Sequence, residues 1–381
     1  MRSTKPAIAR RLMALATVVV LGGCAAAPQV ISDAGDIAEL AADERRLWLM
    51  SDEIDNTLRK SGAVYTDQQA SDYLQSLVAA LLPEFAQHIR VRVLKNVEAN
   101  AFAMANGSVY INTGMLLRLR NEAELAAIVS HEAAHVTHKH VVGNVRTAKR
   151  FNMVANIVGL GASFIAATSM ASLSQAHEVE ADVVGMSRMA SAGYAPQAAA
   201  APFQRLADEL QARGISQAGL FRSHPQLQTR AASLAALAAD LPNGRLHTER
   251  FERSLARVRL AALEQAVQGG HGDLLVFLLA DEELREGFGS AGFYYLGEGY
   301  RLRDYDGDRE RALRAYMSAV QQDSGDYRAH GRLGLLYMKA GDNARAINHF
   351  ETYQANSTDA ADADAAFVRG YLERLRRDSA P

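Results

Sequence analysis

Within five residues, His131-Glu132-Ala133-Ala134-His135 brings together the side chains that a metal-dependent hydrolase needs. On a helix, positions i and i+4 stack one turn apart on one face, so both imidazoles can reach a single ion. The carboxylate beside the first histidine can act as general base toward a water at that ion. Two histidines do not complete a catalytic zinc site, which ordinarily has three protein ligands and one open position. A candidate for the third lies downstream in His177-Glu178-Val179-Glu180-Ala181-Asp182. Glu178 and Asp182 are again i and i+4 and share a face of a second helix. Glu178 can bind the metal. Asp182 can accept a hydrogen bond from the outer nitrogen of a ligand histidine and set its tautomer. Glu180, two steps from Glu178, points away from the metal face. His138 and His140 read as the polar C-terminal end of the first helix, where positive charge is favoured. His177 reads as exposed, and His88, His247, His271, His330 and His349, which have no partner pattern, read as surface residues.

These side chains need rigid elements beneath them. The first helix has a start signal: Asn121 can cap it and Glu124, three residues on, can reach back. Leu125, Ile128 and Val129 then recur at helical spacing. Upstream, Ile89, Val91 and Val93 alternate with polar neighbours as a strand does, and Ser108 to Asn112 forms a second short strand. Helices are expected at about 42–60 and 67–82. The chain has 381 residues, enough for two or three domains, and is 49% hydrophobic and rich in alanine, which favours helix. The net charge of −2 comes with no basic, aromatic-studded cluster, which excludes a nucleic-acid partner. The expected fold is therefore mainly α with a small β-sheet.

A third segment, Ser223-His224-Pro225 followed by Arg230, joins the first two. H-E-A-A-H, then E-V-E-A-D, then S-H-P and arginine, in that order, resembles the HtpX and CAAX-prenyl-protease type of zinc metallopeptidase, a gluzincin group, and in particular its BepA-like periplasmic members with C-terminal TPR repeats. Asn100-Ala101-Phe102-Ala103, Gly107, Val109 and Gly114-Met115-Leu116 resemble the segment before the family's active helix. The likeness covers about residues 40 to 235. It implies a zincin-type domain holding one Zn2+ through His131, His135 and Glu178, with Glu132 as base and Asp182 behind a ligand. His224 matches a histidine near the metal that either assists catalysis or masks the zinc.

The N-terminus supplies an address. Arg2, Lys5, Arg10 and Arg11 precede the apolar run Leu12 to Leu21, and Leu21-Gly22-Gly23-Cys24 follows. This reads as a signal peptide over 1–23 ending in a bacterial lipobox. Cys24 is the single cysteine, so no intramolecular disulfide can form and the thiol reads as a lipid attachment point. Cleavage before it would leave 37 basic against 43 acidic residues, moving the formal charge from −2 to −6. Likeness to lipoproteins implies acyl chains that anchor the protein firmly. Ala25 is not the aspartate linked to inner-membrane retention, which favours the periplasmic face of the outer membrane.

Val154 to Leu173 is 20 residues without a charge, long enough to cross a bilayer. A single crossing there would put His135 and Glu178 on opposite sides, so a buried or cleft-covering segment is expected instead. Beyond residue 245 the character changes. Leu333-Gly334, Tyr337, Gly341, Ala346 and Phe350 match tetratricopeptide spacing, as do Leu296-Gly297, Tyr300, Gly307, Ala312 and Tyr316 with a short insertion. The expected order is a signal peptide (1–23), a lipidated tether (24–40), a metallopeptidase domain (41–245), a helical linker (246–290) and TPR-like repeats (291–375).

Two functions fit. One is a zinc endopeptidase of the cell envelope, acting on misfolded, misassembled or stalled envelope proteins, with the repeats meeting protein partners such as the outer-membrane assembly machinery. The other is a periplasmic chaperone or assembly factor that uses the repeats with little proteolysis. Glu132 favours the first, because a scaffold has no use for a base beside two ligands. His224 has two readings with opposite signs. If it masks the zinc, His224→Ala raises peptide turnover at saturating zinc, which is the expected result for a protease that is off by default among unfolded proteins. If it stabilises an oxyanion, the same change lowers turnover by roughly 10²–10³-fold. A rate equal to wild type excludes both.

Overall fold

The computed structural model describes residues 40–147, 174–215, 227–357 and 364–378. Cys24, His224 and the uncharged stretch 154–173 lie outside the described residues. The chain opens with α1 (Ala42–Lys60) and α2 (Gln68–Leu81), where Asp67 caps α2 by accepting from the Ala70 amide at 2.8 Å. Strands β1 (Arg90–Leu94), β2 (Ala101–Ala103) and β3 (Ser108–Asn112) follow, β1 and β3 where the sequence predicts strands. Next come α3 (Thr113–Arg118), α4 (Glu122–Thr137), α5 (His140–Thr147) and α6 (Gln175–Ser191). Helices α7 (Ala201–Arg213), α8 (Leu227–Ala238) and α9 (Thr248–Gln268) lead into α10 (Gly272–Ala280) and α11 (Glu282–Gly287). The last five are α12 (Ser290–Arg303), α13 (Asp308–Gln322), α14 (Tyr327–Lys339), α15 (Asn343–Asn356) and α16 (Ala365–Asp378). Among the described residues no helix is long and apolar enough to cross a membrane.

The sheet order is β1-β3-β2, with β1 parallel and β2 antiparallel to β3. Because side chains alternate across a strand, each strand serves two cores. Val91, Val93, Ala101, Ala103, Val109 and Ile111 pack with α2 and α4. Phe102 and Tyr110 face the other way, onto Met50, Ile54 and Leu58 of α1. Asp55 of α1 is buried in that second interface and is fully paired there. It accepts from the Tyr110 hydroxyl at 2.6 Å and the Ser108 hydroxyl at 3.0 Å, and Arg92 and Arg59 lie 3.2 Å away. A buried carboxylate is tolerated only with such partners.

Helix α4 lies in the main core and is buried along nearly its whole length. Its start follows the sequence signal. The Glu124 amide donates to Asn121 at 3.0 Å, and the Glu124 carboxylate returns to accept from the Arg120 amide at 2.9 Å. Its end does not follow the sequence reading. The helix stops at Thr137, Lys139 takes a left-handed conformation with φ 53°, and the chain restarts as α5 at His140. His140 therefore does not lie at the polar end of α4.

Helix α9 joins two cores. Phe251, Leu255 and Val258 pack into the one that holds α4, while Ala262, Leu263 and Ala266 pack with α10, α12, α13 and α14. From Ser290 the chain forms the hairpins α12–α13 and α14–α15, and α16 packs on α15. In each hairpin an aromatic ring of the second helix sits on a glycine of the first, Tyr316 on Gly297 and Phe350 on Gly334. Glu298, fully buried, ties three helices together: it accepts from the Tyr316 hydroxyl at 2.6 Å, from Arg301 at 2.7 Å and from Arg332 at 2.8 Å. Burial alone would push its carboxyl up, but Arg301 and Arg332 hold it below the usual range. His330 is buried rather than on the surface. Its Nε2 donates to the Ser324 carbonyl at 3.1 Å, and its Nδ1 meets His349 Nδ1 at 3.0 Å.

The contact of α6 with α4 depends on Gly185. A Cβ there would stand 3.1 Å from the His131 amide nitrogen and 3.3 Å from the Ser130 carbonyl carbon. Gly185→Ala needs a shift of a few tenths of an ångström, whereas Gly185→Val must drive the helices apart. The valine variant is expected to lose about 2 kcal/mol of stability, in the range for overpacking a core, with alanine losing less. Urea denaturation of the metal-free protein measures both.

Candidate metal centre

Helix α4 presents His131 and His135 on one face, and α6 presents Glu178 and Asp182 on the face opposite. All four are buried. His131 Nε2 and His135 Nε2 lie 2.9 Å apart, Glu178 Oε2 is 3.5 Å from the first and Glu178 Oε1 is 3.6 Å from the second. One ligand atom from each of the three falls within 4.8 Å of the others, the one such group of metal-ligating side chains among the described residues. Tetrahedral zinc with bonds near 2.1 Å separates its ligand atoms by about 3.4 Å. The observed spacings lie close to that edge, and the donor set of two imidazoles and a carboxylate suits zinc.

The outer nitrogen of His131 is held by Asp182. Nδ1 donates to Asp182 Oδ1 at 2.8 Å, which leaves the Nε2 lone pair facing the centre. Asp182 is in turn gripped by Arg230 of α8, with Nη2 to Oδ1 at 2.6 Å and Nε to Oδ2 at 3.1 Å. Burial alone would raise the Asp182 carboxyl. The Arg230 charge and the His131 hydrogen bond win, and bring it down to about 2. Arg230, itself fully enclosed, has its guanidinium 4.2 Å over the Phe203 ring, with Nη1 3.5 Å from Glu178 Oε2. Burial opposes its charge, yet Asp182, Glu178 and Glu132 raise its pKa further. Glu132 is buried on the same helix as the two histidines, and its charge is felt by Arg230.

The outer nitrogen of His135 has a different partner. His135 Nδ1 lies 2.8 Å from Nδ1 of His140, which is buried at the start of α5. His140 Nε2 lies 3.3 Å from Glu180 Oε2. The His140 ring stacks on His177 with centroids 4.4 Å apart and planes 8° from parallel, so His177 is partly covered rather than exposed. Burial, then the neighbouring His177, push His140 down to about 4, so its imidazole is neutral near pH 7. His138 stays out of the centre: its Nδ1 lies 3.2 Å from the Ala134 carbonyl of its own helix.

His131, His135, Glu178 and Asp182 thus come together at one centre, and His224 lies outside the described residues. Sequence reasoning assigned no role to Arg230 beyond its place in a motif, and missed His140. Arg230 is 48 residues beyond Asp182, with no periodic relation to it. On a continuous helix His140 would sit about 140° around the axis from His135, and only the break at Lys139 brings it back.

Residues 67–238 match the profile of Peptidase family M48. Among individual proteins, the chain is similar to the beta-barrel assembly-enhancing protease of Escherichia coli (strain K12), 26% identical over 42% of this chain and 37% of that protein. It is similar to the protein of the same description in Yersinia pestis, 28% identical over 48% of this chain and 41% of that one. It is also similar to metalloprotease LoiP of Escherichia coli (strain K12), 26% identical over 58% of this chain and 92% of that one. The chain thus spans about two fifths of the beta-barrel assembly-enhancing proteases it matches.

If Glu178 is a ligand and Asp182 acts behind one, their removal should differ in degree. Glu178→Ala deletes one of three protein ligands and is expected to abolish retention of zinc through dialysis. Asp182→Asn keeps the ligands but disturbs His131, and should weaken zinc by about 10–100-fold. Competition against a chromophoric chelator reads both.

Proposed function

We propose that this chain, which carries a peptidase family M48 domain over residues 67–238, is a zinc-dependent endopeptidase of the bacterial cell envelope that cleaves misfolded or stalled envelope proteins. The observation that carries this reading is the buried set of His131, His135 and Glu178, with Glu132 buried on the helix that supplies the two histidines. Bound there, zinc would polarise the scissile carbonyl and acidify a water. Glu132 would serve as the general base and then as the general acid toward the leaving amine. Asp182 holds the His131 tautomer, and Arg230 keeps Asp182 ionised.

The location and partners follow from other parts of the chain. Cys24 is the proposed lipid anchor to the periplasmic face of the outer membrane. The hairpins α12–α13 and α14–α15, with glycine against aromatic at each crossing, support a tetratricopeptide-like reading and a surface for protein partners. Relatives described as beta-barrel assembly-enhancing proteases support an envelope role connected with outer-membrane assembly.

Glu132→Gln separates catalysis from metal binding. The variant should retain one zinc per chain while casein hydrolysis falls by at least about 10²–10⁴-fold. Metal analysis and digestion of the same preparation give both numbers. Unchanged cleavage would remove Glu132 from the mechanism, and a zinc-free wild type would remove the centre. A variant that still performs the cellular role with no cleavage would favour the assembly-factor reading.

A further inference from the structure

We infer that His140 and Glu180 form a relay that orients the metal-binding ring of His135, so that the centre is held from two sides by different devices. The inference rests on the proposed zinc centre. It starts from the carboxylate at the outer end. An ionised Glu180 can only accept, so His140 must carry its proton on Nε2, 3.3 Å from Glu180 Oε2. His140 Nδ1 is then a bare acceptor, and it lies 2.8 Å from His135 Nδ1. That contact needs a donor, so His135 carries its proton on Nδ1. Its Nε2 lone pair therefore points to where His131 Nε2 lies 2.9 Å away and Glu178 Oε1 3.6 Å away. Each proton assignment forces the next, and the series ends with a lone pair in the ligand cage.

The surroundings suit this role. His140 is buried, and its ring plane is fixed by stacking on His177. His177, Glu178 and Glu180 all come from one turn of α6, so the helix that supplies the third ligand also supports the relay. Lys139, at φ 53°, turns the chain so that His140 faces back onto His135, and Glu44 of α1 pairs with its ammonium at 2.5 Å. The two supports differ. His131 leans on a carboxylate enclosed with an arginine, whereas His135 leans on an imidazole whose own partner, Glu180, is 44% exposed. One support is dry and clamped; the other reaches the protein surface.

Substitutions at His140 can keep or remove the acceptor at nearly constant shape. The Asn Oδ1 can occupy the place of the imidazole Nδ1, while leucine puts a methyl there. With purified full-length protein and Zn2+ as the probe, His140→Leu should weaken zinc by about 10–100-fold. His140→Asn should recover most of that loss, and Glu180→Ala should show a smaller loss. The Co2+-substituted His140→Leu protein should show an altered d–d spectrum, and the asparagine variant a spectrum close to wild type. Melting of the metal-free proteins controls for folding. If the leucine variant does not fold, Glu180→Ala and His140→Asn still decide the matter, because the relay requires a loss in the first and near-wild-type affinity in the second. Affinity and cobalt spectra unchanged in His140→Leu, or asparagine as weak as leucine, would overturn the relay. Wild-type protein that binds no zinc would instead overturn the centre itself.

Discussion

The face-to-face packing of α4 on α6 at Gly185 is the contact on which the centre depends. Each helix alone carries half of a site: two imidazoles on one, two carboxylates on the other. Without a side chain at 185, the α6 backbone comes near enough to the amide of His131 for Glu178 to span the Nε2 atoms of His131 and His135 and for Asp182 to reach Nδ1 of His131. A few tenths of an ångström matter, because ligand bonds and charge-assisted hydrogen bonds tolerate little more than that.

Bringing these helices together buries carboxylates and an arginine that would be costly alone. The solution is pairing in series. Arg230 neutralises Asp182, touches Glu178 and is flanked by the Phe203 ring. The same logic recurs away from the centre, at Asp55 between α1 and the sheet and at Glu298 between three C-terminal helices. In each case a buried carboxylate ties together separate elements. Such links add specificity to contacts that are otherwise non-directional.

Helix α9 connects the core that holds α4 to the hairpins by serving both cores with successive turns. Thr113, next to the sheet, donates its hydroxyl to Gln265 of α9 at 2.9 Å, and Arg259 of α9 is enclosed between the Phe251 and Phe288 rings. The hairpins therefore do not hang from a bare linker. They share a packed helix with the core that holds α4.

Short-range regularities were legible in the sequence because helices and strands impose fixed periods. His131 with His135, and Glu178 with Asp182, are pairs that any helix would align. The strand at 108–112, the cap at Asn121 and the glycine-bearing hairpins have the same local origin. Three things were decided only by the tertiary structure. The α4–α6 contact turned two half-sites into one cage, and no spacing within either helix encodes that meeting. Arg230 reached Asp182 across 48 residues because α8 packs on that side. His140 met His135 because a non-glycine residue, Lys139, adopts a left-handed conformation that ends α4. Periodicity alone would have carried the helix onward and placed that ring on another face. A left-handed lysine has no signature in sequence: its cost is local, and the contacts that offset it come from α1, α5 and α6, which only the folded chain brings together.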